Sequence, residues 1–177
     1  MKILLALSAL LALAIAIVLV LAARKPDVFS VQRSITINAS AARIFPLIDD
    51  LRAHETWSPF DKPDPATRKT YTGSAAGVGS VYAWEGSGKS GAGRIAIIES
   101  SPDSKITMQL DMLKPFKASN VVLFTLEPAG TGTRVTWSMQ GKNPFLGKIM
   151  HVFVDMDRMV GGGFETGLAN LKTIAEQ

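Results

Sequence analysis

The sequence predicts an α+β domain, an antiparallel sheet joined to one long C-terminal helix, standing behind a single apolar N-terminal helix. Three observations predict it. Residues 3–22 carry no charge; six short runs between Thr67 and Gly141 are divided by Gly, Pro, Ser and Asp clusters; and from Phe145 onward apolar residues recur at steps of three and four.

The first element is "ILLALSALLALAIAIVLVLA", Ile3 to Ala22, in which Ser8 is the one polar residue. As a helix it reaches about 30 Å, the thickness of a bilayer's hydrocarbon. A cleaved signal peptide is the competing reading, since Lys2 gives a basic start and Val20-Leu21-Ala22 a tolerable cleavage pattern. The run is too long beside an ordinary apolar region of about 7–15 residues. The expectation is therefore a transmembrane anchor over 1–23, a linker over 24–27 and one domain over 28–177. Lys2 on one side faces Arg24, Lys25 and Arg33 on the other, so the charges leave the orientation open.

Without residues 1–23 the chain has 18 basic and 15 acidic residues, a net charge of +3 that is slight and scattered. A nucleic-acid reader needs a basic stripe, so no nucleic-acid partner is expected. The absence of cysteine excludes disulfides, thiol nucleophiles and Cys-ligated zinc.

After Arg24-Lys25-Pro26, "VFSVQRSITINAS" places Phe29, Val31, Ile35 and Ile37 at alternate positions, with Arg33 the exception, as a half-buried strand does. Asn38 or Ser40 can cap the next helix, "AARIFPLIDDL", which Pro46 should keep short or kinked. A second short helical piece leads to "WSPF" and stops at Pro59. The six runs that follow read as a meander. In it Ile106, Met108, Leu110 and Met112 alternate with Lys105, Thr107, Gln109 and Asp111, while Val135, Trp137 and Met139 alternate with Arg134, Thr136, Ser138 and Gln140. One face of the sheet is apolar and the other wet.

"WEGSGKSGAG" contains G-x-G-x-x-G at Gly86, Gly88 and Gly91. Such glycines cradle phosphate only when a helix follows and aims its amides at the oxygens. Here "RIAIIES" follows, short and strand-like, and Ala83 occupies the place of a Walker motif's first glycine. The stretch reads as a flexible hairpin. The last third reads as one long amphipathic helix with Ile149, Phe153, Met156, Val160, Phe164, Leu168, Leu171 and Ile174 on one face. Gly161, Gly162 and Gly163 each cost about 1 kcal/mol there relative to Ala, so either the helix kinks or something approaches its backbone closely.

Strand, two short helices, meander and final helix is the helix-grip layout, a curved antiparallel sheet wrapped around the last helix. The strings "SITINAS" with "IFPLIDDL", "WSPF", "YTGSAAGVGSVYAWEG", "GAGRIAIIES", "KPF", "GTRVTWSMQG" and "FETGLANLK" carry a closer likeness. On them residues 28–176 resemble the SRPBCC or START-like superfamily, specifically the bacterial polyketide cyclase/dehydrase-like branch, many of whose members carry one apolar N-terminal segment. The superfamily includes lipid carriers, cyclases, hydroxylase components and chaperone activators, so the resemblance implies a fold and a hollow rather than one activity. It also implies a single-pass protein of the bacterial inner membrane. Gly161 to Gly163 depart from the polar or charged residues the family often has there.

No charged residue falls on the expected inward face of the meander. The candidate ligand site is Trp57, Tyr82, Trp84, Met108, Leu110, Met112, Phe124, Trp137 and Met139, with Phe153, Met156 and Val160 from the final helix. Such a lining suits a lipid, isoprenoid or aromatic molecule; the same residues at strand and helix spacing also serve as plain core. His54 lies in the charged "LRAHETW", as on a solvated helix face, and His151 with Asp155 has i, i+4 spacing on one helix but no third metal ligand. Asp49-Asp50 and Asp155-Asp157 are too close in sequence to face each other, and Glu85 and Arg94 read as exposed strand ends. No catalytic residue, cofactor or metal is assigned. The expected function is membrane-tethered binding or carriage of a hydrophobic small molecule. The alternatives are a cyclase, aromatase or hydrolase, which a buried Asp, Glu, His or Tyr cluster facing the void would favour, and a protein-interaction module, which a void too small for a ligand would favour.

Overall fold

The computed structural model describes residues 2–62, 66–86 and 91–177. Its elements are α1 (Lys2–Ala23), β1 (Val28–Ile37), α2 (Ala41–Asp49), α3 (His54–Trp57), β2 (Thr67–Thr72), β3 (Val81–Gly86), β4 (Ala92–Ser101), β5 (Lys105–Lys114), β6 (Ala118–Ala129), β7 (Gly132–Lys142), α4 (Phe145–Phe153) and α5 (Met156–Ala175). The seven strands form one antiparallel sheet in the order β1-β7-β6-β5-β4-β3-β2. The fold is the helix-grip fold, with α5 packed on β1 and β7 and flanked by α2 and α3.

The sheet bends where its pairing slips. β4 and β5 lose register between Ala92 and Gly93 and again between Ile97 and Glu99, and each extra residue kinks its strand and adds twist. The core beneath is continuous: Ile37, Ile44, Ile48, Trp57, Ile106, Met108, Phe124, Val135, Leu168 and Leu171 are all almost wholly buried. α2 is short and contains Pro46, and Ser40 occupies its N-cap position without a side-chain bond. α3 is pinned from both sides: Trp57 Nε1 donates to Leu47 O at 2.8 Å and Asn170 Nδ2 donates to Trp57 O at 3.0 Å.

Beyond the glycine-rich motif the chain runs on as strand β4, and Gly86 N donates to Gly91 O at 2.8 Å. The rest of the expected hairpin, including Gly88, lies outside the described residues.

The single terminal helix is a correction. The chain forms two helices, broken at Val154 and Asp155, and Asp155 caps α5 by accepting from Arg158 N at 3.0 Å. The apolar period survives the break, which hides it from a periodicity reading; a capping aspartate is the signal that marks it. His151 and Asp155 consequently do not share a helix face. α5 runs unbroken through its three glycines, and close approach explains two of them. A Cβ at Gly161 would strike the Arg33 guanidinium and one at Gly163 the Phe60 ring, whereas Gly162 has nothing within 4 Å. Gly167 likewise lets α5 come down on Trp137.

Arg33, the exception in β1's alternation, reaches over α5: its Nε donates to Glu165 at 2.6 Å and its Nη2 to Asp157 at 2.9 Å. Those two carboxylates raise the Arg33 pKa, and the guanidinium holds Asp157 below the usual carboxylate range.

Candidate ligand-binding cavity

Between the sheet and the two C-terminal helices lies a cavity of about 1370 Å³. Its walls are built by strand alternation. Tyr82 and Trp84 of β3, Met108, Leu110 and Met112 of β5, Phe124 of β6, and Trp137 and Met139 of β7 all project from the same face, and Met156 and Val160 of α5 close it from above. The structure thus brings ten of the twelve candidate residues to the cavity lining, eight from the sheet and two from α5. Trp57 is not among the lining residues: it is buried behind the wall, edge-on to Trp137 with ring centroids 5.5 Å apart. Phe153 ends α4 and points outward, 72% exposed.

Aromatic rings stiffen both flanks. Tyr71, Tyr82 and Trp84 stack in sequence at 4.9 and 5.7 Å, with the Arg52 guanidinium 4.3 Å over the outermost ring. Trp84 lies flat across Gly93, whose missing Cβ leaves room for the ring. Trp137 is sandwiched between Phe124 and Phe164 at 4.9 and 4.2 Å. Such offset stacks fix rotamers and keep a wall from collapsing into the space beside it.

The cavity is not free of ionisable groups, which corrects two expectations. His54 is buried rather than solvated and borders the cavity. Its Nε2 donates to Ile48 O at 2.7 Å, which leaves Nδ1 directed toward Asp61 Oδ2, 3.9 Å away. Burial pushes the imidazole below the ordinary histidine range, against the opposing pull of the Asp61 carboxylate. Asp61 and Ser58 also line this end. Behind them Lys69 Nζ is held by Glu55 Oε1 and Asp61 O, each at 2.7 Å, and Tyr71 OH donates to the same Glu55 oxygen at 3.0 Å. The Lys69 hydrogen bond holds Glu55 below the usual carboxylate range, while desolvation, aided by nearby carboxylates, raises Tyr82.

Residue-by-residue reading misses this cluster because "LRAHETW" is charged, and it is the Ile48 carbonyl and the Trp57 ring, its centroid 4.8 Å away, that turn the histidine inward. It also misses Phe60, Phe116, Leu146, Met150 and Met159, which border the cavity from turns and helices where no alternation betrays an inward face. Glu85 and Arg94 stay outside the wall, 3.7 Å from Lys114 and 3.9 Å from Asp111 respectively. Asp49 accepts from Ser100 Oγ at 2.7 Å and Asp50 from Arg52 N at 2.8 Å, both structural uses of the carboxylate.

Among the described residues, two buried side-chain polar atoms lack a hydrogen-bond partner, Asn120 Oδ1 and Trp137 Nε1, and both residues border the cavity. Leaving such an atom unpaired costs about 1–3 kcal/mol, so unmet polar cost collects around this space. No group of three His, Cys, Asp or Glu side chains among the described residues is arranged to hold a metal ion.

Solved structures share the architecture. Protein CV1439 from Chromobacterium violaceum is 14% identical, covering 86% of this chain and 99% of its own, with a TM-score of 0.59. The Aha1 dimer from Colwellia psychrerythraea is 18% identical, with 84% and 96% covered and a TM-score of 0.58. The di-domain ARO/CYC StfQ from the steffimycin biosynthetic pathway is 12% identical at a TM-score of 0.64, covering 84% of this chain but 51% of its own. At these identities the likeness is one of fold. None of the curated proteins compared with the chain matches it in sequence. The family model described as polyketide cyclase / dehydrase and lipid transport matches residues 28–176, and the chain belongs to that family.

Proposed function

We propose that this protein binds and carries a hydrophobic small molecule, of lipid, isoprenoid or polyketide-like character, in the cavity between sheet and C-terminal helices, while α1 anchors it as a single-pass protein of the bacterial inner membrane. The observation that carries the reading is the cavity itself: about 1370 Å³ walled by Trp84, Met108, Leu110, Met112, Met139 and their neighbours, larger than the ~300–1,000 Å³ of ordinary ligand pockets. A ligand hiding ~300 Å² of apolar surface there gains about 7.5 kcal/mol before the costs of association. The methionine-rich wall adapts to ligand shape. α1 supports the anchor reading by being 22 residues long, apolar and exposed almost throughout.

The test is photolabelling of the full chain in vesicles with a diazirine-bearing fatty acid, followed by peptide mapping. Adducts at Met108, Met112 and Trp137, competed away by unlabelled fatty acids or isoprenols, are expected. Adducts confined to α1, with or without competitor, would remove the reading.

A second reading, a cyclase- or hydrolase-type enzyme, is favoured by one observation: His54 Nδ1 and Asp61 Oδ2, a base and a carboxylate, lie 3.9 Å apart at the cavity wall. It requires that His54→Gln abolish conversion of a bound compound while photolabelling persists.

A further inference from the structure

α4 has no buried residue, although seven of its nine side chains, from Phe145 to Phe153, are apolar or glycine. Leu146 is 64% exposed and Phe153 72%. Across the cavity entrance Phe116, in the turn between β5 and β6, is 61% exposed, and Leu113 and Met159 are exposed as well. Leu146, Met150, Phe116 and Met159 also border the cavity, so exposed apolar side chains meet its mouth from α4, α5 and the β5–β6 turn. Contiguous apolar surface on this scale marks an interaction site.

The same rim is tied to α1. α1 packs against α4, and Ala22 near its end is fully buried. The link between them is fixed: Asn143 N donates to Asp27 O at 2.8 Å, Asn143 Nδ2 to Pro26 O at 3.1 Å, and Lys148 Nζ to Asp27 Oδ1 at 2.6 Å. A helix that enters a bilayer therefore carries α4 to the bilayer's surface with it. Basic groups stand around the rim: Lys117 and Lys142 border the mouth and Arg24 and Lys25 follow α1, while Lys148 on α4 is taken up by Asp27. Anionic headgroups complement such a ring.

We propose that the mouth of the cavity is seated on the bilayer, with α4 and the Phe116 turn dipping into the headgroup layer, so that the ligand passes between cavity and membrane without crossing bulk water. The proposal rests on the anchor reading of α1. The occupant is a lipid surface rather than a second copy because the apolar rim is continuous, through the α1–α4 contact, with a helix whose own exposed apolar surface requires lipid.

The chain has no cysteine, which permits clean single-cysteine labelling of the full-length protein. Phe116→Cys, Phe145→Cys and Phe153→Cys report on the rim. Leu11→Cys reports on α1, and Thr131→Cys on the β6–β7 turn, beyond the end of β6 that lies roughly 35 Å from Ala118 at the strand rise. Each carries a nitrobenzoxadiazole fluorophore and is reconstituted in phosphatidylcholine vesicles containing phosphatidylglycerol. Lipid-borne doxyl groups should quench the three rim labels and the Leu11→Cys label, and aqueous iodide should quench only the Thr131→Cys label. Rim labels open to iodide while the label at position 11 is lipid-buried would overturn the docking and leave the anchor standing. Rim labels shielded from iodide yet untouched by doxyl lipid would mean a protein partner, which also overturns it. A label at position 11 open to iodide would remove the anchor and the docking together, whereas cavity photolabelling in detergent is judged separately. Phe145→Asp with Phe153→Asp, neither of them on the cavity wall, should slow probe transfer from vesicles about tenfold while leaving photolabelling in detergent unchanged; equal transfer by variant and parent contradicts the proposal.

Discussion

At the end of the sheet where β1 finishes, Ile37, Ile44, Ile48, Leu168, Leu171 and Ala175 form a core with almost no exposed surface. At the end where β6 begins, Leu110, Met112, Met139 and Met156 are just as apolar, yet they surround about 1370 Å³ of space. Composition does not separate the two regions. What separates them is the course of the last helices: α5 lies against β1 and is let down onto Trp137 and Phe60 by Gly167 and Gly163, whereas the break at Val154 and Asp155 keeps α4 from continuing across the sheet. A hollow here is made by ending a helix.

The contrast is broken most forcefully from the solid end. Leu171→Ala and Leu168→Ala should each cost about 2–5 kcal/mol, because a cavity replaces packed atoms. Met112→Ala, at a wall already facing space, should stay within about 0.5 kcal/mol. Chemical denaturation of the detergent-solubilised chain compares them directly, and equal losses would mean that both ends are packed alike.

Next in size is a contrast inside three consecutive residues. Gly161→Ala should gain little or nothing, because its Cβ pushes the Arg33 fork off α5 and the lost contacts to Asp157 and Glu165 offset alanine's helix preference. Gly162→Ala should instead stabilise by up to about 1 kcal/mol, since open space surrounds it and alanine favours helix. Thermal melts should show Gly162→Ala rising clearly above Gly161→Ala, and equal shifts would mean that Arg33 does not lie against Gly161.

A smaller effect lies in pH. Burial depresses the folded-state pKa of His54. As pH falls below about 6.5 the unfolded chain takes up a proton at this residue before the folded chain does, so stability present above that pH is lost below it. His54→Gln should flatten the fall in stability between about pH 7 and 5.5, and an unchanged slope would show that the ring is solvated.

These contrasts also mark what the sequence makes legible. The strands were readable because alternation such as that of Met108, Leu110 and Met112 reports one buried face directly, and that face is the cavity wall. The helix break was not, because Phe153 and Met156 keep the apolar step across it and the stop depends on one capping aspartate. The polar end of the cavity was hidden for a different reason: His54 sits in a four-residue helix whose inward ring is set by Trp57 and Ile48, contacts that no local pattern encodes. The meaning of the glycines was likewise tertiary, fixed by Arg33 and Phe60, far away in sequence.

The central claim, that this space holds an apolar molecule, is tested most directly by native mass spectrometry of the full chain released from its source membrane, beside the cavity-filling variant Met112→Trp. The account predicts a small hydrophobic compound of reproducible mass on the parent chain, extractable into organic solvent, and its loss from the variant. An empty parent chain, or equal occupancy in both proteins, would contradict it.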